Sequence, residues 1–415
     1  MKKYSSNYLL FVLLFVFTEY TYSQEFKFDY VTINEGLTNS FVYDIEQDDR
    51  GYLYLSTAEG IGVFNGKSIR MITKSDGITD NFVSCSYLDK NGNIWFGHNQ
   101  GGSSVYFNGK FAKVHPGAGI GSDITDIAED NQGRKWFLAQ NYGLYCTDDE
   151  GEFEFHDKLS ANSLFFSLYI DNNNLFFLGT DKGIEVYKYY EDKEGKVLSK
   201  TQTINDLPKD QVVKITPFTK NQLLIATLNS GFYLLTYDKT SNFSCEPVKS
   251  INFKESLIIT DVLLIKNTIW ISTLQSGLIK AEIKEKKIYL VDQFNEKTGL
   301  KTNAVNACFI DRENVIRIAT FGEGLASKED DLFTYYFKDK KELNPFTQVK
   351  VNSTQLWVAK KGVLQNYDKQ NARLIKSIDQ QQGMPFDEIT NFIFDIDSNI
   401  YFSTTLNGLF VYNKK

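Results

Sequence analysis

The sequence has 415 residues, of which 42% are apolar and 15% aromatic, so it holds enough apolar material for a large packed core and is not disordered over most of its length. It has 33 Phe and 24 Tyr but only 6 Pro, and Ile, Val and Thr are frequent, a composition that favours strands and excludes a helical bundle. Acidic residues outnumber basic ones by 52 to 45, the net charge is −7, and no basic block is present, which excludes nucleic-acid binding.

The first residues predict an export signal. Lys2 and Lys3 precede the apolar run Tyr8–Phe17, and Thr21-Tyr22-Ser23 offers small residues at the positions that a signal peptidase requires. The apolar run is too short to span a bilayer comfortably. We therefore expect residues 1–23 to be a cleaved signal peptide and the rest of the chain to reach the periplasm or the extracellular face. No cysteine lies near the cleavage site, so a lipoprotein anchor is not expected.

A repeat runs along the remainder of the chain. In each of nine units a short apolar strand ends in small residues, as in Tyr52–Thr57 and Thr268–Thr273. The third residues of these strands form a column with spacings of 40 to 47 residues. The column consists of Tyr54, Trp95, Trp136, Phe177, Leu224, Trp270, Arg317, Trp357 and Tyr401. Four short antiparallel strands in each such period are typical of a β-propeller blade.

An aspartate stands six residues before the column in six of the nine units. These residues are Asp48, Asp89, Asp130, Asp171, Asp311 and Asp395. In five of the six, Gly or Asn follows three residues later, which is typical of a hairpin turn because both tolerate positive φ. We interpret the aspartates as turn-building side chains, with an acidic or calcium-binding series as the alternative.

The predicted fold is therefore all-β, a single propeller of four-stranded blades formed by residues 24–415. Nine blades are expected, with seven or eight as alternatives. The ninth unit stops after its third strand at Tyr412, while the strand Phe26–Thr32 belongs to no preceding unit. That N-terminal strand is expected to supply the fourth strand of the last blade and close the ring, which removes the exposed sheet edges.

Two segments carry a family resemblance. The residues from Gly36 to Gly60 and from Gly77 to Gly97 resemble two-component regulator propeller repeats. The resemblance implies the extracytoplasmic sensor of a bacterial sensor kinase, notably the hybrid kinases of Bacteroidetes that respond to saccharides. Such sensors often join two seven-bladed propellers to a β-sandwich, a membrane helix and a kinase. Because these parts do not appear in the sequence, the resemblance implies signalling through a partner kinase or a place in a longer protein.

Few residues have the spacing that catalysis or metal binding requires. The sequence has His98, His115 and His156 as its histidines and Cys85, Cys146, Cys245 and Cys308 as its cysteines. No metal-binding spacing and no Cys-x-x-Cys pair occur among them, and nucleophile and phosphate-loop motifs are absent, so neither a metal nor a cofactor is predicted. The cysteines are interpreted as small buried residues. Arg317, which interrupts the aromatic column, is expected to pair with an acidic side chain of a neighbouring blade, with a ligand anchor as the alternative.

The predicted ligand site lies in the loops between second and third strands and in the loops that open each unit, because both sets emerge on one face of a propeller. The candidate ligand-binding residues are His98, Asn99, Tyr142, Lys182, Phe321 and Lys361. The favoured function is a monomeric, non-catalytic module that binds a glycan, another small ligand or a partner protein. The alternatives are a scaffold or assembly protein of the cell envelope and, third, a propeller lyase or glycosidase.

Overall fold

The computed structural model describes residues 26–116, 120–147, 153–159, 163–192, 195–204, 206–238, 242–253, 256–328, 346–351, 354–369 and 374–413. The predicted signal peptide lies outside these residues. The elements are β-strands and short 3₁₀ turns, the latter at Ile33–Glu35, Lys74–Asp76, Asn99–Gly101, Glu296–Thr298 and Gln380–Gln382. The chain divides into two compact units, one within residues 25–330 and the other within residues 331–415.

The first unit holds seven blades, each beginning with its first strand at one sheet edge. β1 (Asp29–Val31) precedes the first blade. Blade 1 consists of β2 (Val42–Gln47), β3 (Leu53–Thr57), β4 (Gly60–Phe64) and β5 (Ile69–Ile72), and blade 2 consists of β6 (Val83–Leu88), β7 (Ile94–His98), β8 (Gly102–Phe107) and β9 (Lys110–Pro116). Blade 3 consists of β10 (Ile124–Glu129), β11 (Lys135–Ala139), β12 (Gly143–Thr147) and β13 (Phe153–Lys158), and blade 4 consists of β14 (Phe165–Ile170), β15 (Leu175–Thr180), β16 (Gly183–Asp192) and β17 (Gly195–Ile204). Blades 5 to 7 are β18 (Val212–Thr219), β19 (Gln222–Thr227), β20 (Gly231–Tyr237), β21 (Phe243–Ile251); β22 (Ile259–Ile265), β23 (Thr268–Thr273), β24 (Leu278–Lys284), β25 (Lys287–Phe294); and β26 (Val305–Ile310), β27 (Ile316–Thr320), β28 (Leu325–Lys328).

The first strands of these blades surround a central channel. Each contacts the first strand of the next blade, and β26 contacts β2, so the cycle is closed. Strand pairing within the blades is antiparallel, while β21 and β25 join the outer edges of blades 5 and 6 by a short parallel pairing. The prediction of an all-β propeller of four-stranded blades is confirmed.

Each first strand carries a β-bulge just after its first residue, and the bulged side chains tie neighbouring blades together. Ser84 donates a hydrogen bond to the Ile124 carbonyl at 2.6 Å, and Thr260 donates to Val305 at 2.8 Å. Asn306 reaches from blade 7 to the carbonyl of Tyr43 in blade 1. These carbonyl groups, on the channel edge of the first strands, thereby accept hydrogen bonds from side chains of the preceding blade.

The N-terminal strand closes the ring at the seventh blade, so the predicted closure at the ninth unit is wrong. β1 pairs antiparallel with β28, with Asp29 opposite Ser327 and Val31 opposite Leu325. It occupies the outer position of a blade whose other three strands are β26 to β28. The fourth strand that the sequence predicts for this unit, Phe333–Phe337, lies outside the described residues. Within the described residues, β1 is thus the fourth strand of the seventh blade.

The second unit contains the last two repeats. Its strands are β29 (Gln348–Val351), β30 (Gln355–Lys360), β31 (Val363–Asp368), β32 (Leu374–Ile378), β33 (Ile389–Phe394), β34 (Ile400–Thr404) and β35 (Gly408–Tyr412). The first four form one sheet, and β33 to β35 form a three-stranded sheet within the described residues. Trp357 and Phe402 belong to the apolar core between them. The opposite face of the last sheet exposes Ile393, Leu409 and Val411. The closed cycle of first strands is formed by the seven blades of the first unit.

The column residues form the core between successive blades. Tyr54, Trp95 and Trp136 are almost fully buried, and each contacts a Phe of the following blade. The turn aspartates hold the hairpin that precedes each of them: Asp89 accepts hydrogen bonds from the backbone N–H groups of Asn91 and Asn93 at 2.9 and 2.8 Å. The other five aspartates make the same pair of bonds. The turn-building interpretation explains all six.

Arg317 differs from its prediction. Its guanidinium contacts the carboxylate of Asp311 at 2.7 Å, which is the turn aspartate of its own blade rather than a residue of a neighbouring one. Trp95 and Trp136 donate to their own turn aspartates from the indole N–H. Arg317 therefore replaces a tryptophan donor in the same hydrogen bond. Of the four cysteines, three are buried as expected, Cys245 is half-buried, and all four are free thiols.

Candidate functional site

The six predicted site residues are divided between the two units: Lys361 is in the second, and His98, Asn99, Tyr142, Lys182 and Phe321 are in the first. Lys361 belongs to the second unit, where its ammonium group lies 5.0 Å from the ring centre of Phe386. The exposed Lys182 is in blade 4 and the half-buried Tyr142 in blade 3, where its ring packs against the core between blades 2 and 3. A ligand contact by these residues stays a prediction.

His98 lies inside blade 2. Its side chain is fully buried at the end of β7, where Nε2 is 2.8 Å from the Ser104 hydroxyl. Among the residues that the structure describes, Nδ1 has no hydrogen-bond partner that meets the usual geometry. Burial lowers the pKa of His98 to about 4, so the ring is neutral at physiological pH. The adjacent Asn99 is half-buried, and its backbone N–H donates to the Phe82 carbonyl at 3.1 Å.

Phe321 is part of a cluster that we call the aromatic rim, formed by Phe41, Tyr43, Phe82 and Phe321. Tyr43 stands at the bulge of β2, with its ring 5.2 Å from Phe82 and 6.2 Å from Phe321. Phe41 lies 6.2 Å from Phe321 in an edge-to-face contact and is 43% exposed. The four rings come from blades 7, 1 and 2 and lie where the first strands begin. They give this end of the channel an apolar surface that solvent reaches.

Sequence reasoning found Phe321 and missed the other three rings. Tyr43 precedes its column residue Tyr54 by eleven positions, and Phe82 precedes Trp95 by thirteen. Because the bulge adds one residue to the first strand, a simple alternation of inward and outward side chains does not predict the direction of the Tyr43 side chain. The spacing from the column was the signal that could have located it.

Directly after the bulge lies a second group, which we call the charged layer: Asp44, Asp126, Lys214 and Asp261. These residues follow the bulge in blades 1, 3, 5 and 6. The Lys214 ammonium group is 3.3 Å from Asp261, and their side chains remain 39% and 20% accessible, so this ion pair is reached through the channel. One cation therefore stands among three carboxylates on the wall of the channel.

The acidic side chains also bind the backbone of the next blade. Asp44 accepts hydrogen bonds from the Ser86 N–H and hydroxyl at 2.8 and 2.9 Å, and Asp126 accepts from the Leu168 N–H at 2.8 Å. One layer further along the channel, Glu46 accepts from the Leu88 N–H at 3.3 Å. These N–H groups lie on the channel edge of a first strand, where no further strand can pair with them.

Burial dominates the electrostatics of this channel. It raises the pKa of Asp44 to about 6 and that of Glu46 to about 8, where the Asp44 charge adds to the effect. The pKa of Asp126 is raised for the same reason. The pKa of Lys214 is raised first by Asp261 and then by Asp126 and Asp44, so its ammonium group stays charged. The carboxylates of the charged layer outnumber its single cation, Lys214. Ionising them inside the protein therefore costs free energy unless a positive charge is near.

Changing Glu46 to Gln is expected to alter the pH dependence of stability. The unfolded chain releases this proton near the ordinary glutamate pKa, whereas the folded protein holds it up to about pH 8. The stability that the protonated Glu46 contributes is therefore lost progressively as the pH rises from the unfolded pKa to the folded pKa. Above the folded pKa no further stability is lost. Gln cannot ionise and keeps an oxygen for the Leu88 N–H. The variant should match the parent near pH 4 and unfold at a higher temperature near pH 9.

Thermal unfolding measured between these pH values tests this expectation. Glu59→Gln, at an exposed glutamate of the same blade, is the matched control. Parallel pH profiles for Glu46→Gln and the parent would contradict the burial of an un-ionised Glu46 carboxyl.

The part of the chain that the structure describes holds neither of two other kinds of site. No group of three or more His, Cys, Asp or Glu side chains there could hold a metal ion. No helix in that part of the chain is long and apolar enough to cross a membrane.

Comparison with known families finds a match in the second repeat. A model of the family described as two component regulator propeller matches residues 77–100, which cover the opening of unit 2 and its first two strands. The chain carries a two-component regulator propeller repeat. The resemblance predicted from Gly77 to Gly97 is confirmed. No curated protein matches the sequence significantly.

Solved structures share the fold at low sequence identity. The extracellular domain of a hybrid two-component system from B. thetaiotaomicron aligns over 94% of this chain with a TM-score of 0.66 and 19% identity. The chain spans 53% of that domain's length. Streptogramin B lyase aligns over 73% of this chain and 97% of its own length, with a TM-score of 0.54 and 16% identity. PorZ, a surface component of the type-IX secretion system of Porphyromonas gingivalis, aligns over 93% of this chain and 52% of its own, with a TM-score of 0.50 and 14% identity. These likenesses establish the propeller fold.

Proposed function

We propose that the protein is an exported sensor propeller that binds a small ligand, such as a glycan, at the rim end of its channel and passes the signal to a partner sensor kinase. The observation that carries the proposal is the aromatic rim beside the charged layer. Aromatic faces next to a few placed polar groups are the usual composition of a small-molecule site. The confirmed repeat and the shared fold with an extracellular domain of a two-component system support the sensor role.

The chemistry of the site favours binding over catalysis. Aromatic rings offer flat faces to the apolar side of a sugar ring, and the charged layer offers hydrogen-bond acceptors and one ammonium donor to hydroxyl groups. Asp44 and Asp126 are already bonded to backbone N–H groups of the next blade, and Lys214 is paired with Asp261. Groups held in this way orient a ligand well but are poorly placed to exchange protons with it.

The experiment is a ligand screen on the secreted chain. A panel of neutral and charged oligosaccharides is added to the protein, and binding is detected by thermal stabilisation and measured by calorimetry. Tyr43→Ala and Phe321→Ala should each weaken the binding of a hit about tenfold or more, since each removes an aromatic face from the rim. Phe107→Ala, at a ring that is 51% exposed in another part of blade 2, is the control and should bind normally.

Other outcomes identify other functions. Turnover of a panel member would favour a lyase or glycosidase, a reading supported by the fold shared with streptogramin B lyase. An absence of ligand binding, together with stable association with envelope proteins, would favour a scaffold, the reading that the likeness to PorZ supports. Equal affinity of the two rim variants and the parent would move the ligand site away from the rim.

A further inference from the structure

We propose that a recess between blades 1 and 2, separate from the channel, binds a small organic anion, a molecule with a carboxylate, sulfate or phosphate group on a compact body. The recess is open to solvent and has a volume of about 590 Å³. This is the size of an ordinary small-ligand site. It is lined on one side by the turn and column residues of blade 1 and on the other by the outer strands β8 and β9 of blade 2.

The recess exists because the column residue of blade 1 is Tyr54. In blade 2 the larger Trp95 donates its indole N–H to Asp89 at 2.8 Å, and the buried Lys135 of the next blade lies 3.5 Å from the same carboxylate. At the junction of blades 1 and 2, Ile94 occupies the position that corresponds to Lys135. Asp48 therefore receives no cation from the following blade.

Arg50 supplies the missing cation from the turn of blade 1. Its Nε and Nη2 atoms donate to Asp48 at 2.9 and 2.6 Å, and Nη2 also donates to the Tyr106 hydroxyl at 2.6 Å. The guanidinium carbon lies 4.9 Å from the ring centre of Tyr52, and half of the side chain remains exposed. Within the described part of the chain, Nη1 makes no hydrogen bond. The guanidinium is thus held in place with donor capacity left for a ligand, so little entropy is lost when one binds.

Two further cations line the same recess. Arg70 is 77% exposed and lies 3.7 Å from Asp76. Asp76 accepts hydrogen bonds from the Thr73 N–H and hydroxyl through Oδ2, both at 3.0 Å, while its Oδ1 is the atom near Arg70. Lys110 is exposed and forms no ion pair with any residue that the structure describes.

The balance of charge selects an anion. The three cations Arg50, Arg70 and Lys110 face two carboxylates, Asp48 and Asp76, which leaves one positive charge in the recess of a chain whose net charge is −7. Arginine binds planar or tetrahedral oxyanions through paired hydrogen bonds. The rings of Tyr106 and Phe111 form the remaining wall and suit a compact organic body. The recess therefore accepts an acidic small molecule in preference to its neutral counterpart.

Calorimetry with three probes tests this site: glucuronate, glucose 6-phosphate and uncharged glucose. At least one acidic sugar should bind, and glucose should not. Affinity should fall at least fivefold when the salt concentration is raised from about 0.02 to 0.5 M, because the cations are partly exposed. Arg70→Gln and Lys110→Gln should each weaken binding about threefold to tenfold. Arg50 is left unchanged because its side chain also stabilises the turn.

Lys67→Gln is the matched control, since Lys67 is an exposed lysine between the lining residues Asn65 and Ser68 but does not line the recess. Tyr43→Ala, which alters the aromatic rim, should leave the affinity for the acidic sugar unchanged and so separates this site from the proposed sensor site. The proposal is overturned if neither acidic sugar binds, if glucose binds equally well, or if Arg70→Gln and Lys110→Gln both bind like Lys67→Gln.

Discussion

Replacing Phe28 by Ala is expected to lower the free energy of unfolding of the propeller by about 3–5 kcal/mol. Phe28 leads into β1 and is 8% exposed, packed in the core with Trp270, Phe294 and Leu300. The substitution leaves a cavity at the point where the N-terminal strand holds the ring closed. Urea unfolding of the whole chain measures the loss. Ile33→Ala, five residues later at a side chain that is 60% exposed, should change stability by less than about 0.5 kcal/mol.

A cysteine pair tests the closure itself. Asp29 lies directly opposite Ser327 in the pairing of β1 with β28, so Asp29→Cys combined with Ser327→Cys should form a disulfide on oxidation. The bond would close a loop of about 300 residues and raise stability by up to about 5 kcal/mol in the chain-entropy account. Asp29→Cys with Val411→Cys, the equivalent pair if β1 instead closed the ninth unit, should not cross-link. A cross-link in the second pair alone would refute closure at the seventh blade.

Replacing Asp89 by Ala is expected to cost about 3–5 kcal/mol. Asp89 accepts two backbone hydrogen bonds in its turn, accepts the indole N–H of Trp95, and lies 3.5 Å from the Lys135 ammonium group. The Asp89 and Lys135 side chains are 0% and 1% exposed, so the substitution removes a carboxylate from beside a buried cation. Thermal and urea unfolding measure the effect. Asp49→Ala, at the exposed next position of the corresponding turn in blade 1, is the control.

A double variant separates the charge from the turn. Asp89→Asn with Lys135→Met removes both charges but keeps an oxygen that can accept from the turn N–H groups. It should recover much of the stability that Asp89→Ala loses, because replacing both members of a buried ion pair is far less costly than removing one. If Asp89→Asn alone were as stable as the double variant, Lys135 would not depend on this carboxylate.

The repeat made most of the fold predictable from the sequence. A strand such as Tyr52–Thr57 is specified locally by its apolar alternation and by the turn that Asp48 and Gly51 build, so its existence and pairing follow from a few neighbouring residues. The number of blades in the ring was not predictable in this way. It depends on whether β1 pairs with β28 or with the last sheet, and both choices leave the local pattern unchanged.

The candidate site was less predictable because it depends on the register of the first strands. Asp44, Asp126 and Lys214 each stand ten residues before their column residue, and Asp261 stands nine before Trp270. The sequence showed this spacing, but only the bulge shows that these side chains share one layer. Loop residues such as Lys182 and Lys361 were placed on one face by the topology of a propeller, and nothing in their local sequence fixed their distance from one another.

Closure by β1 also has a consequence for the order of folding. Every other pair of strands hydrogen-bonded in the sheets of the ring is nearby in sequence, whereas Asp29 must find Ser327, 298 positions later. Local hairpins form before contacts of such long range, so β1 is expected to be the last strand of the ring to dock. β1 would therefore stay unpaired until the seventh blade has folded. The pairing of β1 with β28, together with the contacts between β26 and β2, would then decide how often the ring opens to a protease.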